Sequence, residues 1–181
     1  MSDVVGQQCE TFAALEGRRV ERWSGIEMAA REEGPDGRPV FAEVSVACIQ
    51  MMVLDLELDG GEPLTMLTRQ NELGWGIWTT PGNGPDQTRE WDGIYRWRTL
   101  PELPPGTITR VELRFSDEGD VGELLLHVEG TPLLLVAAEI HETASVRLEL
   151  HVPDESILVF TDVAAADAIS WLGDRARRVQ R

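Results

Sequence analysis

Residues 107–140 read TITRVELRFSDEGDVGELLLHVEGTPLLLVAAEI, and the fold follows from how that stretch is parsed. Three strand-length runs are separated by Asp117-Glu118-Gly119-Asp120 and by Glu129-Gly130, two turn signals of the kind that join antiparallel strands. The pattern predicts a meander and also its register. With Ser116 opposite Val121, Leu113 meets Leu124 and Val111 meets Leu126, and the second turn sets Val128 against Thr131 and Leu126 against Leu133. These pairs build one apolar face, because side chains alternate across a strand with period two. On the same parity Leu135, Ala137, Glu139 and His141 follow inward. An unpaired buried carboxylate costs on the order of several kcal/mol, so Glu139 is expected to meet a partner, an arginine from the middle of the chain.

Upstream, Val44, Val46, Cys48, Gln50, Met52, Leu54, Leu56 and Leu58 share one parity, while Asp55, Glu57 and Asp59 take the other. This predicts a strand with one buried side, turned at Gly60-Gly61 and returning through residues 63–70. Gln50 interrupts the apolar face and is read as serving a bulge or neighbouring backbone, not a ligand. A first strand is expected over Arg19 to Ile26, after a short helix within residues 5–15, and further short strands over 76–79 and 93–98. Val146 to Val152 alternates again, Ile157 to Phe160 is continuously apolar, and Asp162 is placed to cap a helix over residues 163–170. The fold class that results is β-rich α+β: a mostly antiparallel meander of nine or ten strands in a strongly bent sheet or partly closed barrel. Short terminal helices complete a single domain over residues 1–181.

Charge is the one extreme of the composition. Thirty-two acids face sixteen bases in 181 residues, a net charge of −16, and every base is an arginine, a usage that fits GC-rich bacterial coding. Nucleic acid and anionic membrane are excluded as partners by repulsion, whereas a basic protein partner is favoured. The apolar runs are strand-length, far short of a membrane span, and the first residues lack a basic leader and apolar core, which together imply a cytoplasmic protein. Cys9 and Cys48 stand 39 positions apart without His or Cys neighbours, so they are read as reduced thiols outside any zinc pattern. No cofactor or metal is expected, and no catalytic motif is present: neither GxSxG nor a phosphate-binding loop occurs.

Two regions remain as candidates. Between residues 71 and 105, Trp75, Trp78, Trp91, Tyr95 and Trp97 are interleaved with Arg69, Arg89, Asp92, Arg96 and Arg98. That texture suits stacking on a sugar or other planar ligand, although Tyr95 and Trp97 on one face of a strand are equally a core pattern. Glu139 with His141 could form a ligand contact, a general acid/base pair or half a metal site, the alternative being a strand that leaves the core at its rim. His127 and His151 lie on separate strands between apolar residues and read as packed side chains.

The segments LLLVAAEI at 133–140 and DESILVFTD at 154–162 resemble small bacterial domains of unknown function, in which a strand ending Ala-Gly-Glu precedes an Asp-Glu-Ser-Ile-Leu-Val-Phe strand. Here Ala138 replaces the glycine. The resemblance directs interest to Glu139, Asp154 and Glu155 and implies no particular activity. The functional expectation is therefore a non-enzymatic, immunity-like or accessory protein that masks a basic partner. A small-ligand protein using the tryptophan region is the alternative, and an enzyme using Glu139 and His141 the third reading.

Overall fold

The meander continues into a closed cylinder. The computed structural model describes residues 3–43, 45–61, 63–71, 74–82, 93–145 and 147–169. In chain order these form α1 (Asp3–Ala13), β1 (Arg19–Met28), β2 (Ile49–Leu58), β3 (Pro63–Gln70), β4 (Trp75–Pro81), β5 (Tyr95–Thr99), β6 (Gly106–Phe115) and β7 (Val121–Val128). There follow β8 (Thr131–Ala137), β9 (Glu139–Glu142), β10 (Leu148–His151), β11 (Ile157–Phe160) and α2 (Val163–Ala168). Nine strands pair in the order β4-β3-β2-β11-β8-β7-β6-β1-β5, and a further β1–β2 pairing closes six of them into an antiparallel barrel. The remaining two, β9 and β10, form a separate two-stranded sheet.

The register of the meander follows the turn chemistry. Leu113 faces Leu124, Val111 faces Leu126, Leu126 faces Leu133 and Val128 faces Thr131. One pair differs: Val121 faces Phe115 instead of Ser116, because the ladder shifts between Arg114 and Phe115. Such a bulge bends the strand and re-aims its side chains, and Phe115 turns out to solvent, 41% exposed. At the other turn Glu129 and Gly130 both have positive φ, 50° and 85°, the backbone a tight two-residue hairpin requires.

Inside the barrel, Trp23, Leu54, Leu56, Leu124, Leu126, Leu133, Leu135, Ile157 and Val159 form the main apolar cluster. Its open end is covered by Phe12 and Leu15 of the N-terminal helix and its exit. The intervening residues of β8 and β11, Leu134, Val136, Leu158 and Phe160, point outward into a second cluster under α2 and the β9–β10 hairpin, with Ile140, Leu148, Leu150 and Val152. A strand covered on both faces has no solvent side to alternate with. That is why residues 133–138 read as an unbroken apolar run.

Closure depends on close backbone approaches. A Cβ on Gly25 would stand 2.1 Å from the Val53 carbonyl oxygen, so only glycine lets β1 lie against β2 just before their ladder shifts between Ile26 and Glu27. The β1–β6 seam consists of Arg19 opposite Thr107 and Val20 opposite Gly106. Along the free edge of β4, the side-chain amide of Gln8 takes the place of a neighbouring strand: its Oε1 accepts from Thr79 N at 2.8 Å and its Nε2 donates to Thr79 O at 3.3 Å.

Several boundaries differ from the sequence pattern. The described residues hold eleven strands instead of nine or ten. The strand expected from Val44 begins at Ile49, since residues 45–48 run ahead of it as irregular chain. The Cys48 thiol in that lead-in packs against the second cluster, and burial pushes its pKa up to about 12. Gln50 does serve neighbouring backbone, donating to Ala29 O at 3.3 Å and accepting from Ile140 N at 2.6 Å. Asp162 caps α2 through bonds from Ala164 N and Ala165 N.

Candidate functional site

The tryptophan region does not gather into one platform among the described residues. Directly paired residues share a face of a sheet, and the chain of partners Trp97, Ile26, Val53, Leu67, Trp78 runs from β5 to β4. Trp97 and Trp78 therefore lie on one outer face but at its two edges, roughly 19 Å apart by four strand spacings. Tyr95 stands beside Met28, Trp75 is half-buried opposite Gln70, and Arg69 sits over the Trp78 ring at 5.1 Å. Trp91, Arg89 and Asp92 lie outside the described residues. On this face Trp97 Nε1 and Asp55 Oδ2 are buried without hydrogen-bond partners among the described residues.

Glu139 is where the chemistry concentrates. It is 5% exposed, as its parity demands, but the expected arginine is elsewhere. Arg96 and Arg98 both reach Glu27, each at 2.6 Å from its Oε2, and bury that carboxylate instead. The group that satisfies Glu139 is the Ser156 hydroxyl, which donates to Oε2 at 3.1 Å, while Oε1 lies 3.5 Å from His141 Nε2. Burial raises the pKa of Glu139 above the usual carboxylate range; His141 and the Ser156 bond oppose the rise, and Asp154 and Glu155 add to it. Tyr95 is raised as well, by burial and then by the charges of Glu155, Glu139 and Glu32, which puts those acids around the same end of the barrel.

The β9–β10 pairing explains how the cluster forms. Glu139 is opposite His151 and His141 is opposite Glu149, so one face of the hairpin carries two carboxylates and two imidazoles in a checkerboard. The other face carries Ile140, Leu148 and Leu150 against the second apolar cluster. In sequence this is a repeated motif, Glu139-Ile140-His141 and Glu149-Leu150-His151, which an antiparallel pairing brings face to face. Beyond β10 the chain passes through Val152 and Pro153 to Asp154, whose Oδ2 lies 3.2 Å from His141 Nε2 and 3.9 Å from His151 Nδ1. Two of the three histidines thus converge, their ring centroids 4.0 Å apart. His151 is exposed, not packed as its flanking residues suggested. His127 stays on the meander with Glu112 at 3.1 Å.

The surface around this end is acidic and carries an apolar point. Phe115, Ser116, Val152 and Pro153 line one small cleft together with the Arg114–Glu123 ion pair, and the side chain of Glu118 lies close to Gly74, as does that of Pro153. A larger open cavity of about 700 Å³ lies at the far end of β2, lined by Leu15, Leu58, Leu64 and Pro81. Among the described residues its charged lining group is Arg18, which is bound to Asp59 at 2.8 Å, so these residues offer no acid/base pair there. No helix among the described residues is long and apolar enough to cross a membrane. No family model, no curated protein and no solved structure matches the chain, so the residues themselves carry the functional argument.

Proposed function

We propose that the protein is a non-enzymatic binding protein that receives a basic protein partner on the acidic end of the barrel around Phe115. The observation that carries this reading is Phe115 itself, the large apolar side chain left exposed among the described residues. It stands beside Val152 and Pro153, with the acids of the Asp117-Glu118 turn next in the chain and Glu155 two residues beyond Pro153. An apolar anchor inside a charged rim is the usual anatomy of a protein interface. Charge distribution supports the sign of the partner. Arg18, Arg19, Arg22, Arg31, Arg96, Arg98, Arg110 and Arg114 are each engaged by a carboxylate of the chain, which leaves the free surface charge acidic.

Capture from lysate at low and high salt, with the chain compared to a Phe115→Ser/Glu118→Gln/Glu155→Gln variant, tests the reading. A basic protein held by the native chain, released by salt and missed by the variant is the expected result. Retention that ignores both salt and the substitutions refutes it.

A second reading rests on Trp97 Nε1 and Asp55 Oδ2, a buried donor and a buried acceptor without partners among the described residues, on one tryptophan-bearing face. A small hydroxylated ligand such as a sugar could satisfy both. Titration of a monosaccharide panel against tryptophan fluorescence checks it, and a flat response across the panel removes it.

A further inference from the structure

The geometry of the hairpin end points to a site that the partner-binding proposal does not use and does not depend on. We propose that His141 Nε2, His151 Nδ1 and Asp154 Oδ2, completed by Glu139 Oε1, bind one divalent transition-metal ion, with zinc the best fit.

Spacing is the first argument. Nitrogen and oxygen donors at 2.0–2.1 Å around a tetrahedral zinc stand about 3.3 Å from one another. His141 Nε2 is 3.2 Å from Asp154 Oδ2 and 3.5 Å from Glu139 Oε1, and His151 Nδ1 is 3.9 Å from Asp154 Oδ2. The donor atoms of His141, His151 and Asp154 all lie within 4.8 Å of one another. These three are the donors already close enough to share one ion, and Glu139 Oε1 approaches them through His141.

Orientation is the second. The Asp154 carboxylate is already fixed, because its Oδ1 accepts from Glu155 N at 2.8 Å, which leaves Oδ2 facing both imidazoles. Glu139 is held from behind in the same way: Ser156 takes Oε2, and Oε1 faces His141. Bonds of this kind, made to the ligands and not to the ion, usually set ligand direction in metal sites. Access is open, since the His141 and His151 side chains are 40% and 51% exposed.

Charge and chemistry select the ion. Two imidazoles and two carboxylates form a neutral set around a divalent cation, and Glu149, opposite His141 in the ladder, adds a further negative neighbour. Mixed nitrogen and oxygen donors favour zinc and its neighbours in the transition series over magnesium or calcium, which want oxygen alone. The Met28 and Met52 sulfurs approach Ser156 Oγ at 3.7 and 3.6 Å and lie behind that hydroxyl, so the donor set does not turn soft. The ligands come from both strands of the hairpin and from the segment leading into β11, so the ion would tie the small sheet to the barrel.

The test uses the tag-free full-length chain, metal-stripped and titrated with zinc chloride by calorimetry, then with cobalt(II) by visible absorption. One zinc per chain is expected, along with the intense visible bands of four-coordinate cobalt and a zinc-dependent rise in Tm. His141→Ala and His151→Ala should each weaken zinc binding at least about 100-fold, and Asp154→Asn about 10- to 100-fold. The His127→Ala variant, altered at the histidine outside the cluster, should bind as the native chain does. Circular dichroism of each metal-free variant separates lost ligation from lost folding. The assignment is overturned if the native chain takes up no zinc above the buffer blank, if the His141 and His151 variants bind undiminished, or if cobalt gives only the pale spectrum of an octahedral aquo-type ion.

Discussion

Gln50 of β2 and Ile140 of β9 are joined by a 2.6 Å hydrogen bond in which the glutamine oxygen accepts from the backbone N–H, while its amide donates to Ala29 O at 3.3 Å. One buried side chain therefore satisfies backbone groups on two separate segments of the chain. Its replacement by leucine keeps the volume but leaves both orphaned. A buried unsatisfied group costs about 1–3 kcal/mol, so Gln50→Leu should lower unfolding stability by roughly 2–4 kcal/mol in urea denaturation. An unchanged midpoint would mean that water reaches these groups.

Asp55 should make the protein more stable in mild acid than at neutral pH. Burial raises its pKa to about 6 against the 3.8 of an exposed aspartate, while the Thr65 hydroxyl at 2.6 Å opposes the shift. The folded state binds the proton more tightly than the unfolded chain, so its penalty is absent below about pH 4, grows as the pH rises and is complete above about 6. Asp55→Asn removes that penalty. The variant should gain about 1–2 kcal/mol at pH 8 and little or nothing at pH 4, read from denaturation curves at both.

Glu27 holds β5 to the barrel electrostatically. Its side chain is 3% exposed and pairs with both Arg96 and Arg98, and Arg98 also bonds Glu102. Removing the shared carboxylate takes two charge-assisted bonds at once, while Arg98 keeps Glu102 and Arg96 keeps solvent, so Glu27→Ala is expected to cost about 2–3 kcal/mol. Arg96→Ala should cost far less, since Arg96 is nearly half exposed and Arg98 remains. Equal losses for the two variants would contradict this division.

Two glycines give opposite outcomes. Gly25→Ala forces a Cβ to within 2.1 Å of the Val53 carbonyl and should abolish the cooperative transition or lower Tm sharply. Gly6 lies within α1 with nothing inside 4 Å of its added Cβ, so Gly6→Ala should stabilise by up to about 1 kcal/mol through helix propensity. Thermal melts of both variants suffice.

Local pattern made the meander legible, because a tight turn and a period of two fix which residues meet. The inward placement of Glu139 and the backbone role of Gln50 were readable for the same reason. What closes the barrel was not. The contacts of β1 with β2 and β6 join segments tens of residues apart, and no local period records them. The partners of Glu27 lie about seventy positions away on β5, a pairing that no local pattern records, so the mid-chain arginine expected at Glu139 went to another acid. The convergence of His141 with His151 did leave a signal, the repeated Glu-aliphatic-His triplet. It becomes informative only when the two triplets are set antiparallel, and a register offset by one residue would have sent the imidazoles to opposite faces.

The amide of Gln8 on Thr79 bears on how copies of this chain behave toward one another. A bare strand border is a template on which a like border can add, and repeated addition has no natural stopping point. Here one side chain from α1 occupies the donor and acceptor of Thr79, so the helix interrupts that border at one point as well as covering the core.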